Sequence, residues 1–481
     1  AALPAPVDVD ALCRGGAPQW GSALEVAGTL GANTGAYTVD TVPLPIANPW
    51  KSWIRPTGVD FFRDGRAAIA TFSGDVWIAS GVDQTLAKVS WRRYAAGLYE
   101  PLGLRIVDDV AYVLGRDQIT RLVDLDHDGE ADAYESFNHD GVVWPTYNNF
   151  AFDLQTDQAG NFYYAKGALN TPVGLPLQSV LCRVGKDGRG TTVVATGLRQ
   201  PNGLGMGPHD ELTVSDNEGQ WVPASKIVWV RPGGWYGYVG DPPHYKKDVP
   251  AHPAAQDPPL CWMPMAVDSS SGGEAWAPAG WGPLGGQLLH TSYGKSSLML
   301  VLHEEVDGVM QGAVMTLPLK FASGIMRARC NAADGQLYVC GIRGWQTTGA
   351  ADGCLQRVRA TAKPACLPIA MHVTRSGVAV TFSAPLDASA ADAGNIGVSC
   401  WNYLWSAAYG SAEYAVSDPK RKGRDHLDVT AATLSADQRT LTMAVTGVVP
   451  CMQMAVEMRV QAADGSAADA TLYATVNAVG R

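Results

Sequence analysis

Arg63-Asp64-Gly65-Arg66 runs into AAIATF and then Gly74-Asp75-Val76-Trp77; Val107-Asp108-Asp109 runs into VAYVLG; Asp157-Gln158-Ala159-Gly160-Asn161 runs into FYYAKG. The pattern returns at Gly207-Pro208-His209-Asp210 before ELTVSDN, at Gly282-Pro283-Leu284-Gly285-Gly286 before QLLHTSYG, and at Asn331-Ala332-Ala333-Asp334-Gly335 before QLYVCGIRG. Asp, Asn and Gly accept the left-handed backbone that tight turns need, and the alternating or apolar stretch after each turn reads as a strand. Similar units recurring at about 40 to 50 residues are the mark of propeller blades. The spacing predicts an all-β protein, a six-bladed β-propeller.

Working outward, residues 46–362 are expected to form the propeller, and residues 1–45 an N-terminal strap around it. The gap between Asp216 and Gln287 is long and rich in Pro, Gly, Trp and His, which predicts an insertion at about 231–283 over one propeller face. A rigid proline-braced cover explains the same composition. Past a boundary near Thr361 to Pro368 the pattern changes to MHVTRSGVAVTFSAPL, HLDVTAATLSADQRTLTMAVTG and MQMAVEMRVQAADG, so residues 366–481 are expected to form an immunoglobulin-like β-sandwich. Composition agrees: among 481 residues there are 53 Gly and 30 Pro with only 17% charged, which suits short strands and tight turns.

The formal charge of −10 argues against nucleic acid or anionic lipid as partner. Fifteen Trp and seventeen Tyr suit flat, amphipathic ligands such as sugar rings, although packing between blades also uses them. The nine cysteines include no CxxC pair and no CxxCH haem-attachment motif. Disulfides are expected instead, with Cys330–Cys340, Cys354–Cys366 and Cys400–Cys451 as candidate pairs and Cys13 as the candidate for the odd, free cysteine. No apolar run approaches the roughly 18 residues that cross a bilayer. The opening AALPAP reads as the start of a mature exported chain, so a periplasmic or extracellular location is expected.

The sharpest motif is Asp124-Leu-Asp126-His-Asp128-Gly129-Glu130-Ala-Asp132-Ala-Tyr-Glu135. Carboxylates at loop positions 1, 3, 5, 9 and 12, Gly at 6 and the Glu130 carbonyl at 7 match a calcium loop. A loop that saturates its ion leaves no open coordination position, so the expected role is structural. A second cluster, Arg199-Gln-Pro-Asn202-Gly203 followed by Asp216-Asn217-Glu218-Gly-Gln-Trp221, sets hydrogen-bonding groups beside exposed backbone. Asp216 or Glu218 is a candidate general base there, and a polar network closing one blade on the next is the alternative. A third set, His290, Tyr293 and Lys295 with Arg327, Arg343, Trp345 and Gln346, lies where inner strands deliver side chains to the channel. His290 is there a proton-transfer candidate or a satisfied structural histidine. The remaining histidines form no zinc-ligand spacing, and Cys261-Trp-Met263-Pro-Met265 offers sulfur to copper or, more simply, to packing.

The stretches NPWKSWIRPTGVDFFRDGRAAIATFSGDVWIASGVD, GRDQITRLVDLDHDGEADAYESF, RQPNGLGMGPHDELTVSDNEGQWVPASK, LLHTSYGKSSL and LYVCGIRGWQTTGAADGCLQRVR, with WNYLWSAAYGSAEYAVSDPKRKGRD beyond them, resemble a family of exported propeller proteins found mostly in planctomycetes and verrucomicrobia and described as membrane-bound-dehydrogenase-like or haem-binding. The resemblance implies a distant kinship to soluble quinoprotein sugar dehydrogenases. In those, a turn like Arg199 to Gly203 lies near the channel, and a histidine takes the hydroxyl proton while hydride passes to the quinone. It implies pyrroloquinoline quinone as cofactor and His290 as the base. Relatives continue into a cytochrome with CxxCH; none occurs here, which implies a separate electron carrier. Three readings follow: a dehydrogenase of sugars or sugar-derived alcohols, a non-redox carbohydrate lyase or hydrolase, or a non-catalytic propeller binding a glycan or protein.

Overall fold

The computed structural model describes residues 7–169, 175–240, 253–344 and 346–481. Every one of the six Asp/Gly turns lies between an inner strand and the second strand of the same sheet. The inner strands are Pro56–Phe61, Gly103–Val107, Ala151–Thr156, Gly203–Met206, Ser271–Trp276 and Arg327–Asn331; the second strands are Ala67–Thr71, Val110–Leu114, Phe162–Lys166, Leu212–Asp216, Leu288–Ser292 and Gln336–Ile342. Each inner strand packs against the next, and Arg327–Asn331 packs against Pro56–Phe61, which closes a ring. The architecture is all-β and propeller-like. Glycine opens an inner strand where sheets come closest: a Cβ on Gly203 would overlap the backbone of Gly273.

Backbone pairing holds the ring shut. Tyr37–Thr41, within the expected strap, is the outermost strand of the last sheet through pairing with Gly353–Ala360, while Leu24–Val26 extends the first sheet along Val89–Ala95. A chain that belongs to both the first and last sheets resists opening at the seam between them. Buried Asp40 reinforces this closure by accepting from Arg357 at 2.9 Å and from Arg359 at 2.9 Å. Between these sheets, fully buried Trp77 and Trp91 pack with Ile69, Tyr338 and Leu355, so these two aromatics are core.

Two features correct the sequence-based expectations. The 231–283 stretch is not loop throughout: Cys261–Met263 completes the fourth sheet against Ser225–Trp229, and Ser271–Trp276 is the fifth inner strand. Cys261 and Met263 are fully buried in an apolar cluster, which assigns them to packing. All nine cysteines are free thiols. Cys330 points its Sγ at the Trp276 carbonyl and Cys366 points its own at the Ala384 carbonyl, each at 3.3 Å, so neither faces its expected partner. Cys400 and Cys451 do interact through their side chains.

Beyond residue 367, Pro368–Thr374, Gly377–Phe382, Thr440–Val445 and Val429–Leu434 make one sheet. Ile396–Trp401, Cys451–Met458 and Ala470–Val476 lie in another, and Val380, Phe382, Leu441, Met443, Val456 and Leu472 share the core. The second sheet does not stand alone. Ala470–Val476 pairs with Val309–Thr316, making it continuous with the fifth sheet of the ring. Among the described residues no helix is long and apolar enough to cross a membrane.

Candidate functional site

One rim of the ring is built from strand-one to strand-two turns, short in every sheet but the fifth, where residues 277–287 include the 3-10 turn Gly282–Leu284. The other rim carries the segments that enter the inner strands and the loops that join second to third strands, and here a cavity of about 730 Å³ opens. Arg55 precedes the first inner strand, Glu100 the second, Asn148 and Phe150 the third, Gln200 and Asn202 the fourth, Ser269 and Ser270 the fifth, and Met326 the sixth; all line it. The second-to-third-strand loops add Phe72, Arg116, Asn217, Glu218, Gln220, Tyr293 and Gln346. The cavity volume lies within the range of ordinary small-molecule sites.

The floor of this funnel is sealed by charge pairs. Arg327 lies across the channel, donating to the Leu102 carbonyl (2.7 Å) and the Asn202 carbonyl (2.6 Å), with Asp153 3.5 Å from its Nε. Beside it, wholly buried His290 holds Glu274 through Nδ1 at 2.8 Å and Asp268 through Nε2 at 3.1 Å. Burial opposes charge on the ring, but the two carboxylate hydrogen bonds outweigh it and push the imidazolium pKa up to about 9. Asp268 is correspondingly held below its ordinary value despite burial, whereas burial keeps Glu274 above its own. With both ring nitrogens engaged and no exposed surface, His290 is a structural imidazolium in this arrangement, away from the cavity wall.

Asp216 is likewise fully buried and accepts from the backbone N–H groups of Arg199 (3.0 Å) and Gln200 (2.7 Å), so it braces the turn that presents them. Two residues on, Glu218 reaches the cavity. Burial raises its carboxyl above the ordinary glutamate range, Arg199 pulling it back and Asp268 adding to the rise. The Arg199 guanidinium lies so close over Gly219 that a Cβ there would overlap it, and it donates to the Glu218 carbonyl (3.0 Å) and to Gln220 Oε1 (2.8 Å). Its Nε is buried without a partner, as are Arg55 Nε and Asn202 Oδ1. Among the described residues, neither Arg55 nor Arg199 forms an ion pair; Arg55 donates to the Arg343 carbonyl at 2.9 Å and lies over the Trp53 ring.

Of the sequence-predicted set, Arg199, Asn202, Asn217, Glu218, Tyr293 and Gln346 meet on the wall. His290, Asp216 and Arg327 lie beneath or behind it. Arg343 is exposed and Lys295 half-buried, both off the wall; Trp221 packs on Trp405 at 4.8 Å, and Trp345 falls outside the described residues. Among the described wall residues there is no histidine. Sequence reading missed Arg55, Glu100, Arg116, Tyr147, Phe150, Ser269, Ser270 and Tyr409. Their signal was positional, since all but Arg116 and Tyr409 lie within four residues before an inner strand.

The acidic loop divides in two. Asp124, Asp126 and Asp128 converge, each offering an oxygen within 4.8 Å of the others, and Asp124 Oδ1 and Asp128 Oδ2 are buried without hydrogen-bond partners. The Asp132 and Glu135 carboxylates, expected at positions 9 and 12, are employed elsewhere, as is the Glu130 side chain, whose expected ligand is its backbone carbonyl. Glu130 accepts from Gln19 N at 2.6 Å, Asp132 from Gly16 N at 2.6 Å and Leu125 N at 2.7 Å, and Glu135 pairs with Arg121 at 2.8 Å. The chain leaves this loop as a strand, Ala133–Asn138, instead of a helix, and so carries position 12 away.

No family model matches the chain, and no curated protein sequence matches it. Solved structures do. A Thermus thermophilus protein assigned as an oxidoreductase (glucose dehydrogenase) superposes over 67% of this chain and 99% of its own with TM-score 0.50 and 19% identity. The quinone-bound aldose sugar dehydrogenase of Streptomyces coelicolor (TM-score 0.48, 15% identity) covers 68% of this chain and 99% of its own. The quinone domain of pyranose dehydrogenase from Coprinopsis cinerea (0.49, 12%) covers 71% and 98%. The likeness is one of fold.

Proposed function

We propose that the chain is a six-bladed β-propeller with a C-terminal immunoglobulin-like sandwich from about residue 366, and that its funnel oxidises a sugar or sugar-derived alcohol with pyrroloquinoline quinone. The observation that carries this reading is the pair of guanidiniums, Arg55 and Arg199, that line the cavity and, among the described residues, have no ion pair and no partner for their Nε–H groups. A planar tricarboxylate pairs with such guanidiniums through charge-assisted hydrogen bonds, and Asn202 lines the same cavity. When bound, the quinone supplies the two-electron acceptor that takes hydride from the carbinol carbon.

The chain's own residues supply the proton chemistry. Glu218, with a carboxyl held above its ordinary range, accepts the substrate hydroxyl proton in place of His290. Tyr293, its hydroxyl given room by Gly344, orients the substrate across the mouth. Turnover would require a separate electron carrier as the final acceptor. Asp124, Asp126 and Asp128, with the Glu130 carbonyl, would hold a structural calcium ion that fixes the loop anchoring residues 16–20. The family resemblance supports export.

The test is dye reduction by purified protein given quinone and calcium over a panel of aldoses and sugar alcohols; no turnover with any of them removes the reading. The absence of histidine from the described wall, with Glu218 and Tyr293 both on it, favours a second reading: proton-transfer chemistry without redox, as in a carbohydrate lyase or hydrolase. Product mass separates the two, because oxidation removes two hydrogens and elimination or hydrolysis cleaves a bond.

A further inference from the structure

The funnel wall is completed by a segment from the far end of the sequence. Tyr409 lines the cavity although it follows the ring by many residues, and four backbone or indole contacts set it there. Gln220 and Tyr409 form an antiparallel bridge, Gly410 N donates to the Gly219 carbonyl at 3.1 Å, Trp221 N donates to the Ser406 carbonyl at 2.8 Å, and Trp405 Nε1 donates to the Gly237 carbonyl at 2.8 Å. The Trp405 ring also packs against Trp221 and Trp235, at 4.8 and 6.0 Å. Gly410 has φ +65°, and a Cβ there would crowd Glu218 Oε1 at 2.8 Å. The turn is therefore fitted to the wall, not laid loosely across it.

What this anchoring presents is an aromatic ring left in water. Tyr409 is 62% exposed, with the Arg199 guanidinium 5.3 Å from its centroid. Tyr147, contributed by the segment before the third inner strand, lines the same cavity and is 78% exposed. Holding large aromatic surface in water has no folding benefit, so two such rings fixed on one cavity mark a binding surface. The remaining lining selects the ligand chemistry. With Arg55 and Arg199 assigned to the quinone, Glu218 to the proton, and Arg116 paired with Glu100 at 3.1 Å, the amides of Asn148, Gln200, Asn217, Gln220 and Gln346 remain to pair with the hydroxyls of a sugar.

We infer that the funnel receives a neutral carbohydrate chain of several sugar units, whose terminal unit enters the cavity while further units stack on Tyr147 and on Tyr409 of the C-terminal segment. This rests on the proposed sugar-directed reading of the site but does not require that the reaction be oxidation. The ring alone would then be an incomplete site, and the C-terminal segment a determinant of substrate length.

Isothermal titration of the full-length protein, without quinone, tests the inference with cellohexaose, xylohexaose and maltohexaose and with glucose and xylose. At least one hexaose should bind tenfold or more tighter than its monosaccharide. Tyr409→Ala and Tyr147→Ala should each weaken that hexaose by about tenfold, and Tyr409→Phe, which keeps the ring, should retain it. Because both tyrosines are exposed, unchanged thermal unfolding certifies the variants as folded. Equal affinity for hexaoses and monosaccharides, or hexaose binding indifferent to both alanine variants, overturns the inference. Because the readout is binding, hexaose affinity with no dye reduction would sink the oxidation reading alone, and turnover of monosaccharides without hexaose preference would sink this one alone.

Discussion

The channel below the funnel floor and the wall above it use the same residue types to opposite ends. Below, His290, Asp268, Glu274, Arg327 and Asp153 are buried and engaged with one another or with backbone carbonyls. Above, Arg55, Arg199 and Asn202 keep buried polar atoms without partners, and Glu218 faces open volume. A chargeable group in a propeller channel is thus no sign of chemistry by itself. What separates the two regions is access to the cavity, since a buried Nε without a partner occurs at Arg329 beside Asp153 as well, whereas Arg55, Arg199, Asn202 and Glu218 line open volume.

That contrast is breakable by substitution, and the largest effect should fall below the floor. His290→Leu leaves Asp268 and Glu274 buried without their cation and is expected to cost about 3–5 kcal/mol of stability in chemical denaturation. The sign with pH follows from the raised His290 pKa. Its contribution is fully present below the unfolded value of about 6.5 and is lost as pH rises through about 9. Wild-type stability should therefore decline across that window, and the leucine variant should lack that component of the decline.

Above the floor, Glu218→Gln should lower turnover by about 10²–10⁴-fold while the unfolding free energy stays within about 0.5 kcal/mol of wild type. The acid limb of the wild-type rate profile should lie above the ordinary glutamate range, because Glu218 must be ionised to accept a proton and burial raises its pKa. A stable, fully active Gln variant would place the base elsewhere. Smaller still is the expectation at the acidic loop. Calcium should raise the wild-type unfolding temperature, Asp126→Asn should blunt that rise, and Glu135→Gln, which touches only the Arg121 pair, should leave it intact.

How much of this was legible in the sequence divides along the same axis. The six Asp/Gly turns were readable because a short turn has narrow backbone demands, and every one of them lies between strands one and two. They therefore mark the rim opposite the cavity. The working rim is made of longer segments whose composition is free to vary, so Arg55, Glu100 and Tyr147 carry no local signature. The repeat register, counted back to the residues before each inner strand, would have found them. His290 was drawn into the site by its chemistry and by the family resemblance, whereas its partners Asp268 and Glu274 lie 22 and 16 residues away in sequence and become neighbours only through strand pairing. The contribution of Tyr409 was further out of reach, because it depends on the C-terminal segment docking onto the ring. The disulfide expectation failed for a related reason: spacing suggested Cys330–Cys340, but strand register gives Cys330 to Leu337 and Cys340 to Arg327.

The most direct test of a ligand-hungry wall above a sealed floor is absorbance titration of the full-length protein with pyrroloquinoline quinone in the presence of calcium. One equivalent should bind, and Arg199→Met, assayed at a temperature where it remains folded, should weaken binding about ten- to hundredfold, the loss of a charge-assisted hydrogen bond. Folded wild-type protein that binds no quinone, or an Arg199→Met variant that binds it as tightly as wild type, would contradict the account.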